Sequence, residues 1–262
     1  MTKLLTVLMI LLVTFCTYGQ DYNVNFSNSA NNKVQIVATQ GNLKVLGYDG
    51  NEVRINAKNI EKNNVPERAE GLKSLYNSAE DNTGLGLSVV QEGNVLKILK
   101  ASRHENDYVI EVPKNVAVSI EQVNWGDAEI ELSNLNGEIE IKSTNGNMVL
   151  KNITGPLVAN SVSGNLTAEF ATIKQGKPTA ISLVSGDIDI SLAADSKADF
   201  KLQSISGEIY TDLDIETKNK TSENENLRQI GGGYTIQGSN NGGGTEISLN
   251  TISGNIFIRK KK

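Results

Sequence analysis

The chain has very few of the residues on which most catalytic and metal sites depend. Its 262 residues include one cysteine, one histidine and one tryptophan, and aromatic residues make up 5% of the composition. A single histidine excludes a multi-histidine metal site, and a single cysteine excludes a disulfide within the chain. Stability must therefore come from packing and from backbone pairing.

An excess of positive charge is also absent. The chain has 25 lysine and arginine residues against 30 aspartate and glutamate residues, for a formal net charge of -5. That sign fits neither a nucleic-acid partner nor a polybasic contact with a membrane. The four basic residues 259–262 at the end of the sequence are interpreted as a solvated terminus.

Long apolar runs are missing except near the start, where residues 4–13 are apolar apart from Thr6. This run is too short for a bilayer, which needs about 20 apolar residues. With Lys3 before it and small residues after it, the segment predicts a secretory signal peptide over residues 1–19, cleaved after Gly19. Loss of Lys3 takes the formal charge from -5 to -6.

Cys16 offers an alternative reading, in which it is the acylated residue of a lipoprotein. Phe15, directly before it, is bulky where such signals prefer a small residue, so cleavage after Gly19 is favoured. That cleavage removes the only cysteine. The predicted location is therefore the periplasm, the outer membrane surface or the extracellular space, with a soluble mature chain unless Cys16 carries a lipid.

One short phrase recurs along the second half of the chain, a glycine followed by alternating apolar and polar residues. The glycines that open it are Gly126, Gly137, Gly146, Gly155, Gly164, Gly186, Gly207 and Gly254. Alternation of this kind is the β period. Successive glycines of the phrase are about ten or about twenty residues apart. This spacing predicts that two phrases make up one structural repeat, which is typical of stacked repeats.

The alternation assigns each phrase an inner and an outer face. It predicts Ile139, Ile141, Ile188 and Ile190 inside, with the acidic residues between them outside. Four phrases also share an apolar residue and a serine before the glycine, with Val162, Val184, Ile205 and Ile252 as the apolar residues. The glycine suits a tight corner, and the apolar residue before it is expected to anchor that corner to the core.

Two topologies can produce this pattern. A meander of hairpins usually uses Asn-Gly or Asp-Gly turns, and among the glycines that open the phrases only Asn136-Gly137 and Asn145-Gly146 supply them. A coil that stacks on the previous coil explains why equivalent phrases recur about twenty residues apart. The sequence therefore favours an all-β, single-stranded β-solenoid, similar to a parallel β-helix, with about 20 residues per coil and a right-handed wind.

The repeat is not equally regular along the chain. Residues 20–117 are predicted to form an irregular, β-rich opening part of the solenoid, with an insertion at 59–82. Residues 118–262 form the regular part, with a Gly- and Asn-rich excursion at 218–244. Residues 245–258 are then expected to complete the final coil.

Several segments together resemble a known family. The segments are Gly41 to Asp49, Val53 to Ile55, Val109 to Pro113 and the Ser-Gly-Asn/Asp/Glu-Ile phrases. They are similar to the DUF4097 family of candidate adhesins and to the related head-GIN-type autotransporter adhesins. The resemblance implies a β-solenoid at the bacterial envelope, without known catalytic residues. A glutamine beside the signal-peptide cleavage point is similar to Bacteroidetes signals.

Candidate chemical groups each have a structural interpretation. His104 is interpreted as a solvated loop residue, and Trp125 as a core or cap residue rather than a sugar platform. The glycine clusters at 231 and 242 lack the Lys-Ser/Thr ending of a phosphate-binding loop. The carboxylates could attract calcium, but lysines interleave with them and no calcium repeat is present. These carboxylates are Asp127, Glu129, Glu131, Glu138, Glu140, Asp187, Asp189 and Glu208.

The sequence therefore predicts no catalytic, metal or cofactor site. The first functional hypothesis is a non-enzymatic adhesin or binding protein of the envelope, whose partner is an envelope protein or a surface glycan. A periplasmic scaffold or envelope-stress accessory protein is the alternative. A polysaccharide-active β-helix enzyme is the third candidate, through paired carboxylates.

Overall fold

The structure is a computed structural model that describes residues 21–38, 41–58, 67–72, 79–102, 104–122, 128–217 and 235–261. Regular structure in these residues is β-strand, apart from one 3-10 helix at Glu67–Ala69. The first eleven strands are β1 Asp21–Asn25, β2 Lys33–Ala38, β3 Leu43–Tyr48, β4 Glu52–Lys58, β5 Leu87–Glu92, β6 Val95–Lys100, β7 Asp107–Pro113, β8 Ala117–Gln122, β9 Ile130–Ser133, β10 Ile139–Ser143 and β11 Met148–Ile153. The remaining strands are β12 Leu157–Ser163, β13 Leu166–Phe170, β14 Thr179–Ser185, β15 Ile188–Leu192, β16 Ala198–Ser204, β17 Ile209–Thr211, β18 Glu216–Thr217, β19 Thr235–Asn240, β20 Thr245–Ser253 and β21 Ile256–Lys260.

These strands form two sheets. Sheet A has ten strands in the order β1-β4-β7-β3-β9-β11-β13-β15-β21-β17. Sheet B has eleven strands in the order β18-β19-β16-β20-β14-β12-β10-β8-β2-β6-β5. In the regular part the chain alternates between the sheets, so that each coil contributes one strand to each of them. The all-β prediction is confirmed.

Most neighbouring strands run in the same direction. Among the described residues, fourteen strand pairings are parallel and five are antiparallel. A meander of hairpins would pair its strands antiparallel, so the stacked arrangement is the one observed. In sheet B, Val118 pairs with Ile139, 21 positions on, and Val158 pairs with Ala180, 22 positions on. The right-handed wind stays a prediction.

The core is a set of apolar ladders between the two sheets. Ile139, Ile141, Ile188 and Ile190 are at most 2% exposed, which confirms their predicted inward direction. In sheet A, Ile188 pairs with Leu166 on one side and with Ile256 on the other, and both neighbours are completely buried. Like residues on adjacent strands lie about 4.8 Å apart, so each coil covers the apolar face of its neighbour.

The last coil does not lie at the end of the stack. Strands β20 and β21 sit between the coil of β14 and β15 and the coil of β16 and β17. The reason is the strand β19, which pairs antiparallel with β16 and occupies one of its edges. Because that edge is taken, β20 pairs with the other edge of β16 and with β14. Residues 245–258, expected to complete the final coil, thus lie in strands β20 and β21 inside the stack and not at its end.

The start of the chain is inserted in a similar way. The coil of β2 and β3 lies between the coil of β6 and β7 and the coil of β8 and β9. The antiparallel strands β1, β4 and β5 extend the two sheets beyond β6 and β7. Antiparallel strands therefore form one end of both sheets and the far end of sheet B, whereas the far end of sheet A is the parallel strand β17. Coils close to the two ends of the described chain are held between other coils.

The structure tests the predicted insertions only in part. Within 59–82, the described residues hold the short helix Glu67–Ala69. Within the predicted excursion 218–244, residues 235–240 form the strand β19, so this part belongs to the stack. The predicted signal peptide 1–19, with Cys16, lies outside the described residues. No helix in the part of the chain that the structure describes is long and apolar enough to cross a bilayer.

Candidate functional site

A ladder of glycines forms the corner between the two sheets. In Gly164, Gly186 and Gly254, φ lies between 111° and 152°, a region that side chains disfavour. A Cβ atom on Gly186 would lie 2.1 Å from the carbonyl oxygen of Gly164 on the next coil, and one on Gly254 would lie 2.1 Å from that of Gly186. Successive coils are therefore in backbone contact at this corner, as the sequence predicts for its glycines.

Two sets of side chains hold the corner in place. On the inner side, the Ser161 hydroxyl donates to the carbonyl of Ser163 at 2.9 Å, and the Ser204 hydroxyl donates to that of Gly254 at 2.8 Å. These bonds give the backbone carbonyl groups of the turn a hydrogen-bond donor from a buried side chain. The buried polar residues of this region thus support the backbone of the corner.

The second set is a ladder of Asn and Asp residues that directly precede the strands of sheet A. The side-chain oxygen of each accepts the backbone N–H of the equivalent residue on the next coil, as in Asp187 to Asn165 at 2.9 Å and Asn255 to Asp187 at 2.7 Å. The Glu129 N–H donates to Asn42 in the same way. Each such bond is worth about 1 kcal/mol, and together they fix the register between coils.

The apolar residues before the glycines do not anchor the corner to the core. Val162, Val184, Ile252 and Ile205 are 46–53% exposed, so the prediction of core packing is wrong. The physical reason is the alternation itself. Leu183 points inward on β14, so Val184 beside it must point outward. The inward position at the corner is filled by residues such as Ser161 and Ser204 instead.

These four side chains lie side by side on consecutive coils. The pairing of β12 with β14 places Val162 beside Val184, and the pairing of β14 with β20 places Val184 beside Ile252. The N–H of Ser206 donates to the carbonyl of Ile252 at 2.9 Å, which brings Ile205 next in the row. We call this row of Val162, Val184, Ile252 and Ile205 the aliphatic ridge.

The ridge borders a part of sheet B that is nearly free of charge. We call the three rows of outward side chains nearest the glycine corner, on β12, β14, β20, β16 with the following Ile205, and β19, the low-charge face. Its residues are Val158, Asn160, Val162, Ala180, Ser182, Val184, Ser248, Asn250, Ile252, Lys201, Gln203, Ile205, Thr235 and Gln237. Lys201 is the one charged residue in these three rows, in a chain of which 21% is charged. The carboxylates of Asp199 and Glu246 border the face, in the next row of β16 and β20.

The other half of sheet B shows the contrast. On β10, Glu140 forms ion pairs with Lys33 at 3.3 Å and with Lys142 at 3.1 Å. The contact with Lys142, followed by that with Lys33, lowers the pKa of the Glu140 carboxyl. Charged side chains also lie on β6 and β8 at Lys97 and Glu121. The change from a charged to an uncharged surface falls between β10 and β12.

The candidate carboxylates are distributed among ion pairs and backbone contacts. Glu131 contacts Lys44 at 3.0 Å, Glu138 contacts Lys177, and Asp189 contacts Arg259 at 2.9 Å. Asp187 belongs to the Asn and Asp ladder. Within the described ranges, no group of three or more His, Cys, Asp or Glu residues could hold a metal ion. Asp127 lies outside the described residues.

The remaining candidates have structural surroundings or lie outside the described ranges. His104 is half-buried in the connection between β6 and β7, and its backbone N–H donates to the Ser102 hydroxyl at 3.0 Å. In the turn between β19 and β20, the N–H of Gly244 donates to the carboxylate of Asp199 at 3.1 Å. The carboxylate of Asp199 therefore takes the position that a phosphate would have at a glycine-rich loop. Trp125 and the glycines at 231–233 are outside the described residues.

An aromatic pair that the sequence did not reveal lies on sheet A. The rings of Tyr210 and Phe257 are stacked with their centroids 5.4 Å apart and an angle of 11° between their planes. The guanidinium of Arg259 lies over the Phe257 ring at 5.1 Å, and its hydrogen bond to Asp189 raises its pKa. Tyr210 and Phe257 are 47 positions apart, and the inserted last coil brings them together.

Two shallow clefts accompany these surfaces. A cleft of about 380 Å³ lies beside the low-charge face and is lined by Lys33, Glu140, Pro156, Val158 and Pro178, among others. A second, of about 310 Å³, lies on sheet A around Lys44, Lys58, Asp107 and Glu131. Each cleft contains an ion pair between two of its lining residues. Lys33 pairs with Glu140 in the first cleft, and Lys44 pairs with Glu131 in the second.

The architecture places the protein in the class of β-solenoid-like folds, with two sheets built from stacked coils. The chain belongs to the Toastrack DUF4097 family, whose model matches residues 110–259. This match covers 150 of the 262 residues and agrees with the resemblance of the Ser-Gly phrases. No curated protein matches the chain.

The solved structures that match the chain share little sequence with it. A candidate cell adhesion protein from Clostridium sporogenes is 9% identical with a TM-score of 0.49, over 93% of this chain and all of that one. A candidate adhesin from Bacteroides fragilis is 16% identical with a TM-score of 0.42, over 93% of this chain and 96% of that one. A candidate lipid-binding protein from Parabacteroides distasonis is 13% identical with a TM-score of 0.24, over 94% of this chain and 98% of that one. The family assignment rests on the family model alone.

Proposed function

We propose that the chain is an exported, non-enzymatic binding protein of the bacterial cell envelope, which adheres to a macromolecular partner through the low-charge face. The observation that carries this proposal is the aliphatic ridge of Val162, Val184, Ile252 and Ile205 beside amide and hydroxyl side chains. Depletion of charge around exposed apolar residues is the composition of the centre of a protein interface. Exposed apolar patches on soluble proteins commonly mark contact sites.

The scaffold beneath this face suits a binding role. The glycine corner and the Asn and Asp ladder fix each coil against the next, so the outward side chains are held at a regular spacing. A surface that is ordered before contact loses little conformational entropy when it binds. No observation favours a polysaccharide-active enzyme, since Glu131, Glu140 and Asp189 are each engaged by lysine or arginine.

The first test is the adhesion of beads that carry the protein. Beads should bind to envelope fragments from a strain of the same bacterium that lacks this gene, and Val184→Lys should reduce that binding at least about tenfold, because it places a charge in the ridge. Val90→Lys is the matched control, since Val90 is 43% exposed on β5 of the same sheet, against 46% for Val184. Equal losses for the two variants would count against the face.

The location is tested on intact cells. If export follows cleavage after Gly19, the protein isolated from its own cells begins at Gln20, and protease added outside intact cells removes it. A periplasmic scaffold or envelope-stress accessory protein would have the same first residue but would resist the protease until the outer membrane is opened. A protein that keeps residues 1–19 would contradict export by this route.

A further inference from the structure

The two sheets end differently beyond the coil of β16 and β17. Sheet B continues with the antiparallel strands β19 and β18. Within the described residues, sheet A ends at the parallel strand β17. We propose that the free edge of β17 is a second binding site, at which an extended, basic segment of another protein adds a strand to sheet A. This site is separate from the low-charge face, which lies on sheet B.

The backbone of β17 leaves one edge without a strand partner. In its pairing with β21, the carbonyl of Glu208 accepts the N–H of Ile256 at 2.9 Å. Backbone groups of successive residues in a strand point to opposite sides, so the N–H and C=O groups of Ile209 and Thr211 point away from β21. No described residue bonds to these four groups. Unpaired groups of this kind are a template for an added strand.

The side chains of β17 favour such pairing. Tyr210 is 50% exposed, and Thr211 is exposed as well. Edge strands are commonly protected by lysine, proline or a bulge, whereas Ile209–Thr211 contains only residue types that favour strands. At the same end of the stack, Ile209 and Ile236 pack against the core but stay partly exposed. Apolar side chains on the inner side of an added strand would cover this surface.

The charge around the edge selects a basic segment. Residues 207–217 include no basic residue and four acidic residues, which are Glu208, Asp212, Asp214 and Glu216. Lys260 pairs with Asp214 at 3.3 Å, whereas the carboxylates of Glu208 and Glu216 form no ion pair within the described residues. Two copies of this edge would bring like charges together, which disfavours pairing between copies. Basic side chains on the incoming strand are attracted instead.

Tyr210 indicates where a basic side chain of the segment lies. The ring of Tyr210 stacks on that of Phe257, and the guanidinium of Arg259 lies over the Phe257 ring at 5.1 Å. A basic residue on a strand beside β17 is placed to make the same kind of contact with the Tyr210 ring. The segment that fits the edge therefore alternates basic residues on its outer side with apolar residues on its inner side.

Binding of a synthetic peptide to the full mature protein tests the site. The probe is a fluorescein-labelled peptide of about seven residues that alternates lysine with valine and is blocked at both ends. Because β17 has only three residues, we expect a dissociation constant between about 10 µM and 1 mM, measured by fluorescence anisotropy at about 150 mM salt. A wild-type protein that does not bind the peptide at 1 mM would overturn the proposal.

Thr211→Pro should weaken this binding at least tenfold. Proline removes an N–H group at the free edge, and it is tolerated there because that group has no partner in the sheet. Thr211→Val is the matched control and should stay within about twofold of the wild type. Both variants lose the hydroxyl that accepts the N–H of Leu213, but only proline loses the edge N–H. Equal affinities for the two variants would contradict strand addition.

Methylation of backbone nitrogens in the peptide tests the site on the unchanged protein. A strand directs the N–H groups of alternate residues towards one neighbour. Methylation of one alternate set should therefore abolish binding, and methylation of the other set should leave it within about twofold. A peptide of alternating glutamate and valine should not bind. Equal losses for the two methylated sets, or equal binding of the acidic peptide, would overturn the proposal.

Val184→Lys separates this site from the proposed function. It places a charge in the aliphatic ridge on sheet B, so it should leave peptide binding within about twofold while it reduces the adhesion of beads. Loss of bead adhesion with unchanged peptide binding supports two separate sites. Loss of peptide binding in a folded Val184→Lys variant would contradict a site at β17.

Discussion

Replacing Gly186 with alanine is expected to lower the free energy of unfolding by about 4 kcal/mol or more. Losses of this size are typical of substitutions that strain the backbone or disrupt close packing. Two effects combine at this residue. Its φ of 133° disfavours any side chain, and its new Cβ would lie 2.1 Å from the Gly164 carbonyl oxygen. Backbone atoms on the neighbouring coil cannot move aside without opening the corner. Chemical denaturation followed by far-UV circular dichroism measures the loss.

Gly176→Ala is the control that separates the two effects. Gly176 also has a positive φ, of 85°, but a Cβ there would meet no atom within 4 Å. Its expected cost is therefore the conformational strain alone, about 1–2 kcal/mol. If both substitutions cost the same, the close approach between coils at Gly186 does not contribute to stability, and the glycine corner as described is wrong.

Replacing Ile188 with aspartate is the second substitution with a large expected effect. Ile188 is fully buried between Leu166 and Ile256, and an ionised carboxylate there would have no partner. Burial of an unpaired charge costs several kcal/mol and raises the pKa of the carboxyl group. We expect the variant to be unfolded at pH 7.5, which a thermal melt would show as the absence of a cooperative transition.

The destabilisation caused by Ile188→Asp is expected to increase with pH. Because burial raises the pKa of the introduced carboxyl in the folded state, the penalty is smallest below the unfolded-state pKa of about 3.9 and grows as the pH rises above it. Ile188→Asn is the control, since it has a similar shape and does not titrate. At pH 7.5 only Ile188→Asn should therefore show a cooperative urea transition, and at pH 4.5 Ile188→Asp should show one as well, with a midpoint closer to that of Ile188→Asn. Equal urea midpoints for the two variants at both pH values would contradict the inward position of Ile188.

The sequence pattern predicted the coils well because it depends on local alternation. The parity that places Ile188 inside and Asp189 outside follows from the backbone of a single strand, and the structure confirms it. The same parity already assigned Val184 to the outer face, since Leu183 beside it is apolar and buried. The expectation of a core anchor at Val184 gave more weight to the residue type than to its position.

The order of the coils could not be predicted from the same pattern. Each phrase presents nearly the same apolar ladder, so the period does not determine which coil lies next to which. The deciding element is β19, an antiparallel strand that covers one edge of β16 and has no repeat signature of its own. The pair of Tyr210 and Phe257 depends on this order, and so does the position of Ile252 in the aliphatic ridge.

The Asn and Asp ladder has a signature in the sequence, at the position directly after the glycine of each phrase. The residue after the glycine is Asn or Asp in five of the eight phrases. Among the described residues, Asn147, Asn165, Asp187 and Asn255 each accept a backbone N–H from the next coil. Composition alone cannot distinguish such a ladder from a solvated turn, because both favour these residues. Glu129 occupies the equivalent position before β9. Its backbone N–H donates to Asn42, but among the described bonds its carboxylate accepts none from the next coil, and its side chain is one methylene longer than that of aspartate.

The insertion of the last coil builds the aliphatic ridge and joins the two halves of the low-charge face. Hydrogen–deuterium exchange of the native protein detects this insertion by comparing β21 with β17. Strand β21 lies between β15 and β17, whereas β17 is the outermost strand of sheet A. The amides of residues 256–260 should therefore exchange more slowly than those of residues 209–211. If the coils stacked in chain order, β21 would be the outer strand, and faster exchange at 256–260 than at 209–211 would contradict the structure.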